Sequence, residues 1–318
     1  MVKPENFHCG EEEAECIVSD ADDPVSAGRY RCRICKSSNV RRIREGNTET
    51  FLQSNDFRIT DDRYGLVSSV FECADCGFLQ CLDVPDTTAF YRVLEDPEYE
   101  AGRKERMHQA RMILNKTLKV IGEKPEVLRL LDVGAGSGIL LEAALELGFE
   151  AEGVEPSDWL RLTARTHGCK IDADVIPHPD IRGPYDIVTL IDVVEHVSDP
   201  FEIIKNATVL LRTGGKVVIV TPDAKSVAAR IMRWKWWHFR IAHVGYFSKE
   251  NLNYICMQLG LKVLSISRPS WVFSLAYLRE RLQQYLPKWL VPSEKLWMHK
   301  VTFGLNLRDS LMIVAERQ

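Results

Sequence analysis

Residues 127–156 read VLRLLDVGAGSGILLEAALELGFEAEGVEP. The run from Val127 to Val133 has the near-continuous apolar character of a strand covered on both faces. A turn of alternating glycines follows at Gly134, Gly136 and Gly138, and residues 139–147 carry a helical pattern that stops at Gly148, a residue suited to a helix C-cap. A second strand, EAEGV, then ends at Glu155. Glycines between a strand and a helix let the backbone pass close beneath a ligand that faces the helix N-terminus. A carboxylate at the end of the next strand, 21 residues after Gly134, is placed to accept both ribose hydroxyls of an adenosine.

The same alternation continues downstream. Strands are expected at CKIDADV (169–175), YDIVTLIDVV (185–194), GGKVVIVTP (214–222), LKVLSIS (261–267) and DSLMIVAER (309–317). Helices are expected from Ser157 to His167, over 201–211 and over 248–260. Strands alternating with helices give an open α/β sheet with parallel order at its centre. Two segments, 223–247 and 269–309, interrupt the alternation at strand ends, where such folds build a substrate lobe.

Upstream, residues 29–82 carry Cys32-x-x-Cys35 and Cys73-x-x-Cys76, separated by 37 residues and flanked by short β-prone runs. Four thiolates in two knuckles match the tetrahedral demand of structural Zn²⁺, with Cys81 as an alternative ligand. Residues 86–121 show a broken helical apolar face and link this unit to the sheet. Residues 1–28 hold eight acidic groups against Lys3, a charge of −7. The whole chain carries −4, so the remainder carries +3. The leader therefore reads as a solvated, poorly ordered tail. The rest is too weakly basic for a dedicated duplex nucleic-acid binder.

At 318 residues, with 45% hydrophobic and 27% charged residues, the composition is that of a globular protein. No apolar stretch reaches the roughly 18 residues needed to span a bilayer, and the opening residues lack a basic region followed by an apolar one. Two C-x-x-C pairs without an export signal point to thiols kept reduced, and the expected location is cytoplasmic.

The third glycine of the loop comes one residue earlier than in a dinucleotide fingerprint, and Asp132 precedes the loop. LLDVGAGSG with VEPS, DVVEHVSDP, LLRTGGKVVIVTPD and HVGYFS together resemble the class I S-adenosylmethionine-dependent methyltransferases, over about residues 86–318. That resemblance implies an α/β, Rossmann-like seven-stranded methyltransferase sheet, here with an N-terminal zinc-ribbon-like module and a helical substrate lobe. It implies domains at 29–82 (zinc), 83–126 (helical connector or lid) and 127–318 (methyltransferase). It places Asp132, Gly134, Gly136 and Gly138 at the methionine end of S-adenosyl-L-methionine, Glu155 on the ribose, Asp174 at the adenine amino group and Asp192 near the sulfonium. Tyr91 and Tyr99 would close over the cofactor.

For the chemistry, His243 is a candidate general base, since a histidine pKa lies near neutrality. Asp192, Glu195 and His196 have the spacing of one helical turn. With His243, they resemble the metal set of plant small-RNA 2′-O-methyltransferases and ubiquinone-pathway O-methyltransferases, which implies a possible Mg²⁺ or Mn²⁺ that lowers the pKa of a substrate hydroxyl. Between Ala224 and Ser248 five basic residues interleave with tryptophans. Arg240 and Trp237, with Tyr246, are candidates to grip an anionic acceptor, and the same composition suits peripheral contact with a membrane.

The zinc module joined to a methyltransferase domain is similar to deoxysugar C-methyltransferases, but Arg240 and Ala242 replace the tyrosine and glutamate of their signature, which argues against methylation of carbon. The closing stretch resembles methyltransferases of surface-polysaccharide synthesis. The expectation is O-methylation of a sugar, nucleotide sugar or lipid-linked glycan. Alternatives are a quinone or polyketide hydroxyl, a sugar carbon, an RNA 2′-hydroxyl, and a catalytically silent binding protein.

Overall fold

The computed structural model describes residues 30–48, 52–60, 63–84 and 86–318. The acidic leader expected over 1–28 lies outside these residues. The chain opens with a small antiparallel sheet of β1 (Val40–Arg44), β2 (Val70–Cys73) and β3 (Leu79–Gln80). Cys32–Lys36 and Cys73–Gly77 form two tight turns, closed by Lys36 N–H to the Cys32 carbonyl and Gly77 N–H to the Cys73 carbonyl.

The segment expected as one helical connector divides into α1 (Thr88–Arg92), α2 (Pro97–Ala101) and α3 (Arg103–Ile121). The breaks have local causes. Asp96 caps α2 by accepting from the Tyr99 amide, with Pro97 in the first helical position, and Gly102 separates α2 from α3.

The apolar runs of the sequence become β4 (Arg129–Val133), β5 (Glu150–Val154), β6 (Lys170–Ala173), β7 (Tyr185–Ile191) and β8 (Leu211–Pro222). Between them lie α4 (Ile139–Leu147), α5 (Asp158–Thr166) and α6 (Pro200–Val209), and after β8 comes the short α7 (Val227–Met232). The rest of the chain adds β9 (Gly245–Tyr246), α8 (Lys249–Gln258), β10 (Leu261–Ser267), β11 (Trp271–Ser274), α9 (Leu275–Leu282), β12 (Thr302–Leu305) and β13 (Ser310–Arg317).

The main sheet has seven strands in the order β10-β13-β8-β7-β4-β5-β6, parallel except for β13, which runs antiparallel between β10 and β8. This is the seven-stranded α/β fold expected from the sequence. One face packs on α3 and α4 through Leu114, Leu130, Leu141 and Val218. The other packs on α6, α8 and the first cysteine turn through Ile204, Ile255, Phe247 and Ile34.

One connection was not anticipated. Strand β9 does not join the main sheet; it pairs with β3 (Leu79 opposite Tyr246, Gln80 opposite Gly245) and becomes the fourth strand of the N-terminal sheet. β9 lies near the end of the 223–247 segment, and much of that segment packs with it. Trp236 is wholly buried and packs with Val67, Val70, Phe239 and Tyr246, so much of this expected substrate lobe is core shared with the N-terminal unit. Among the described residues no helix is long and apolar enough to cross a membrane.

Candidate active site

The glycine loop leaves β4 with Gly134, Gly136 and Gly138 all at positive φ. At Gly136 (φ +55) a Cβ would lie 3.0 Å from the Tyr99 hydroxyl, so neither the backbone conformation nor the space admits a larger residue. Glu155 is buried beside the loop. Its Oε2 accepts the Gly136 amide and its Oε1 the Ser157 amide, both at 2.8 Å. Asp132 is buried at the end of β4 and accepts the Thr189 hydroxyl at 2.6 Å. Burial pushes each carboxyl up to about 7, against the hydrogen bonds that favour the charged form.

The connector helices lie over this cradle. Arg106 stacks on the Tyr99 ring at 4.2 Å, and Arg103 reaches the Ser137 carbonyl and hydroxyl, both at 3.3 Å. Arg92 of α1 pairs with Asp174 at 2.9 Å, so the carboxylate expected at the adenine is engaged by the lid. Tyr91 sits elsewhere: its hydroxyl lies 2.7 Å from His196 Nδ1, not at the glycine loop.

A second cluster forms where the chain turns after β7. The helical turn expected for Asp192, Glu195 and His196 is absent. Asp192 adopts a left-handed conformation (φ +53), and the chain folds into a tight non-helical turn. Asp192 consequently does not join the close group of ligand atoms, which consists of Glu195, His196 and His243, all within 4.8 Å of one another. Glu195 is 1% exposed; its Oε2 accepts the Thr221 hydroxyl at 2.9 Å and its Oε1 has no hydrogen-bond partner. The buried Nδ1 of His243 is likewise unpartnered.

His196 Nδ1 is 2.9 Å from the Ala242 carbonyl. That oxygen can only accept, so Nδ1 carries the hydrogen and Nε2 keeps a free lone pair. The His243 ring meets that of His196 edge-on at 4.7 Å and stacks on His238 at 5.6 Å. Burial raises the Glu195 carboxyl well above its ordinary range, holds His196 down at about 3 and keeps His243 well below its ordinary range. Both histidines are therefore neutral near pH 7, the form that offers lone pairs.

His243 is delivered by backbone pairing. The Glu195 carbonyl accepts the amides of Val244 (2.8 Å) and Gly245 (3.0 Å), and Gly245 is the first residue of β9. Of the candidate acceptor-binding residues, Arg240 lies near enough for its charge to act on Glu195, His196 and His243, but the candidates are largely turned to internal partners. Both guanidinium amino groups of Arg240 donate to the carbonyls of Arg58 and Ile59, Trp237 Nε1 donates to Asp309, and Tyr246 is buried among Val67, Phe239 and Cys81. Thr87, Thr221 and His238, which touch His196, Glu195 and His243, were not singled out from the sequence. Thr221 stands in the TPD run that ends β8 and was legible only as a strand end.

The four cysteines of the two turns come together. Cys32 and Cys76 sulfurs are 3.5 Å apart, as are those of Cys35 and Cys73, and all four lie within 4.8 Å of one another. Sulfurs at the corners of a tetrahedron with 2.3 Å metal bonds are separated by about 3.8 Å, so the set fits a Cys₄ metal site. Cys81, the alternative ligand, is excluded from it: its sulfur faces the His243 carbonyl at 4.0 Å.

The family model described as a methyltransferase domain matches residues 103–266, more than half of the chain. The chain belongs to the methyltransferase domain family. Two curated relatives of this methyltransferase are ubiquinone biosynthesis O-methyltransferases. That of Caulobacter sp. (strain K31) is 34% identical, covering 34% of this chain and 50% of its own. That of Bordetella avium (strain 197N) is 35% identical, covering 29% and 42%. The methyltransferase thus spans about half the length of the curated relatives it matches. In fold it resembles a chain of the complex between the Haloferax volcanii Trm112 methyltransferase activator and a methyltransferase (TM-score 0.51, 13% identity, covering 73% of this chain and 98% of that one).

Proposed function

We propose that this methyltransferase transfers the methyl group of S-adenosylmethionine to a hydroxyl on a phenol- or quinone-type ring. The observation that carries the proposal is the close group of buried Glu195, half-buried His196 and buried His243, which holds an unpartnered carboxylate oxygen and an unpartnered imidazole nitrogen. The likeness to ubiquinone biosynthesis O-methyltransferases supports the acceptor class. The carbohydrate acceptor expected from the sequence has no counterpart among those relatives, and both guanidinium amino groups of Arg240 and the Trp237 indole nitrogen are spent on internal partners.

In this proposal the cradle of Asp132, Gly134, Gly136, Gly138, Glu155 and Asp174 holds the cofactor, with Tyr99 closing it and Asp192 at its reactive end. Bound S-adenosylmethionine supplies an electrophilic methyl group on a sulfonium, open to in-line displacement. Glu195, His196 and His243 fit a divalent cation such as Mg²⁺ or Mn²⁺, which would lower the pKa of the acceptor hydroxyl. Tyr91 and the Ala242 carbonyl orient His196, and Thr221 orients Glu195, so the unpartnered atoms keep their direction without substrate. Cys32, Cys35, Cys73 and Cys76 are proposed to hold Zn²⁺ in a closed structural site, within a module spanning about 29–82.

Glu155→Gln tests the cradle. Hydrogen bonds to a charged acceptor contribute about 1.5–3 kcal/mol each, so S-adenosylhomocysteine should bind at least about tenfold more weakly by calorimetry. An unchanged affinity would remove Glu155 from the cofactor site. The acceptor class is tested by labelled-methyl transfer to water-soluble catechols, hydroxylated polyprenyl phenols and nucleotide sugars in parallel. Label in the ring acceptors is expected; label only in nucleotide sugars would overturn the proposal.

A further inference from the structure

Among the described residues, ten of the nineteen large apolar side chains left exposed fall within residues 282–307. So dense a cluster is not the scattered surface hydrophobicity that any protein shows. Trp289 is 81% and Leu296 88% exposed, joined by Leu286, Leu290, Trp297 and Phe303.

The exposure is built into folded structure. Val291 and Met298 are buried beside these exposed neighbours. β11 pairs with β12, the Leu275 amide bonds the Val301 carbonyl, and Arg279 holds the Pro292 carbonyl at 2.7 Å. Tyr285 donates to the Lys235 carbonyl and so ties the stretch to the turn after α7. The charge is one-sided: residues 282–308 contain Lys288, Lys295, Lys300 and Arg308 against Glu294 alone, a net of +3.

We propose that this face docks on a bilayer of anionic phospholipid. Tryptophan and leucine side chains with a basic fringe suit the headgroup boundary: the apolar groups enter it and the cations meet its negative potential. Among the described residues no helix is long and apolar enough to cross a membrane, and the proposed contact is peripheral. The site differs from the 224–248 stretch where the sequence alone pointed to membrane contact, because the tryptophans there are turned into the core or held by Asp309. The proposal stands on this face and not on the acceptor class.

The test is sedimentation of the full chain with phosphatidylcholine vesicles, with and without phosphatidylglycerol. Binding that strengthens with phosphatidylglycerol is expected. A double variant, Trp289→Ser with Leu290→Ser, should bind at least about tenfold more weakly, since both apolar side chains leave the boundary. Lys295→Glu with Lys300→Glu should remove the preference for phosphatidylglycerol. Both variants should retain S-adenosylhomocysteine affinity, which shows them folded. No sedimentation with either vesicle would overturn the proposal, as would equal binding by the variants. A dimer by light scattering that Trp289→Ser with Leu290→Ser converts to monomer would overturn it too, by assigning the face to a second copy. Methyl transfer to a water-soluble catechol needs no vesicle, so failure of the acceptor proposal is read separately.

Discussion

Replacing His243 by alanine, or Glu195 by glutamine, should lower kcat by about 10²- to 10⁴-fold while S-adenosylhomocysteine affinity stays within about twofold of the parent, the range expected when an oxygen-activating group is lost. The two halves of the site explain the split. The proposed cofactor cradle is built from the ends of β4 and β5, whereas Glu195 and His243 come from the turn after β7 and the approach to β9. Glu195→Gln keeps the size and can keep the Thr221 hydrogen bond, so its effect reads the loss of an ionisable ligand and not a cavity. Because Glu195, His196 and His243 are proposed as one cation set, a chelator should reproduce the loss. Mn²⁺ should restore the parent, and its bound-ion resonance signal should be missing from His243→Ala. Full activity in excess chelator would exclude the cation and leave His243 as a general base. Full activity of His243→Ala would remove the cluster from the chemistry altogether.

The second large effect is expected at the cysteines. Cys73→Ser should abolish stoichiometric zinc by elemental analysis and lower the melting temperature by about 10 °C or more, because loss of a structural metal belongs among the substitutions that cost more than about 4 kcal/mol. The N-terminal unit is not an appendage whose unfolding the rest would ignore. Cys32, Ile34 and Phe78 share a core with Phe247, Leu252 and Ile255. β9 hydrogen-bonds to β3, so loss of the module frees the strand that delivers His243. Activity should therefore fall with the metal, and further than cofactor binding does. A Cys73→Ser protein with parental kcat and melting temperature would show the thiols to be ordinary reduced cysteines.

The main sheet was legible because its strands are covered on both faces and therefore read as largely apolar runs, such as Ile187–Ile191 and Val217–Val220. The cradle was legible for a local reason: Gly134, Gly136, Gly138 and Glu155 stand at fixed distances along one strand-turn-helix-strand unit. The histidine cluster was legible only in part. Glu195 and His196 are neighbours in sequence, but their meeting with His243 depends on β9, a two-residue strand too short to carry any periodicity. Asp192 looked like a fourth member because i, i+3, i+4 spacing presumes a helix, and the left-handed residue at 192 breaks that geometry. Arginine and tryptophan between 224 and 248 looked like a gripping surface because composition does not distinguish a side chain facing solvent from one facing core. Trp236 faces core, and Arg240 satisfies the loop at 58–59. Cys81 is one residue beyond β3, which points it toward His243 and not toward the other thiols.

The pairing of Leu79 with Tyr246 joins residues 167 positions apart in the chain. Closing so long a loop carries a large entropic cost that local turns do not, and such contacts form late. The cysteine turns and β1–β3 can associate as soon as the first 80 residues leave the ribosome, yet their outer edge stays open until the main sheet has been synthesised through β8. Pairing of β9 with β3 thus waits for the chain through β8, and a chain stalled before residue 246 carries the two cysteine turns but no positioned His243.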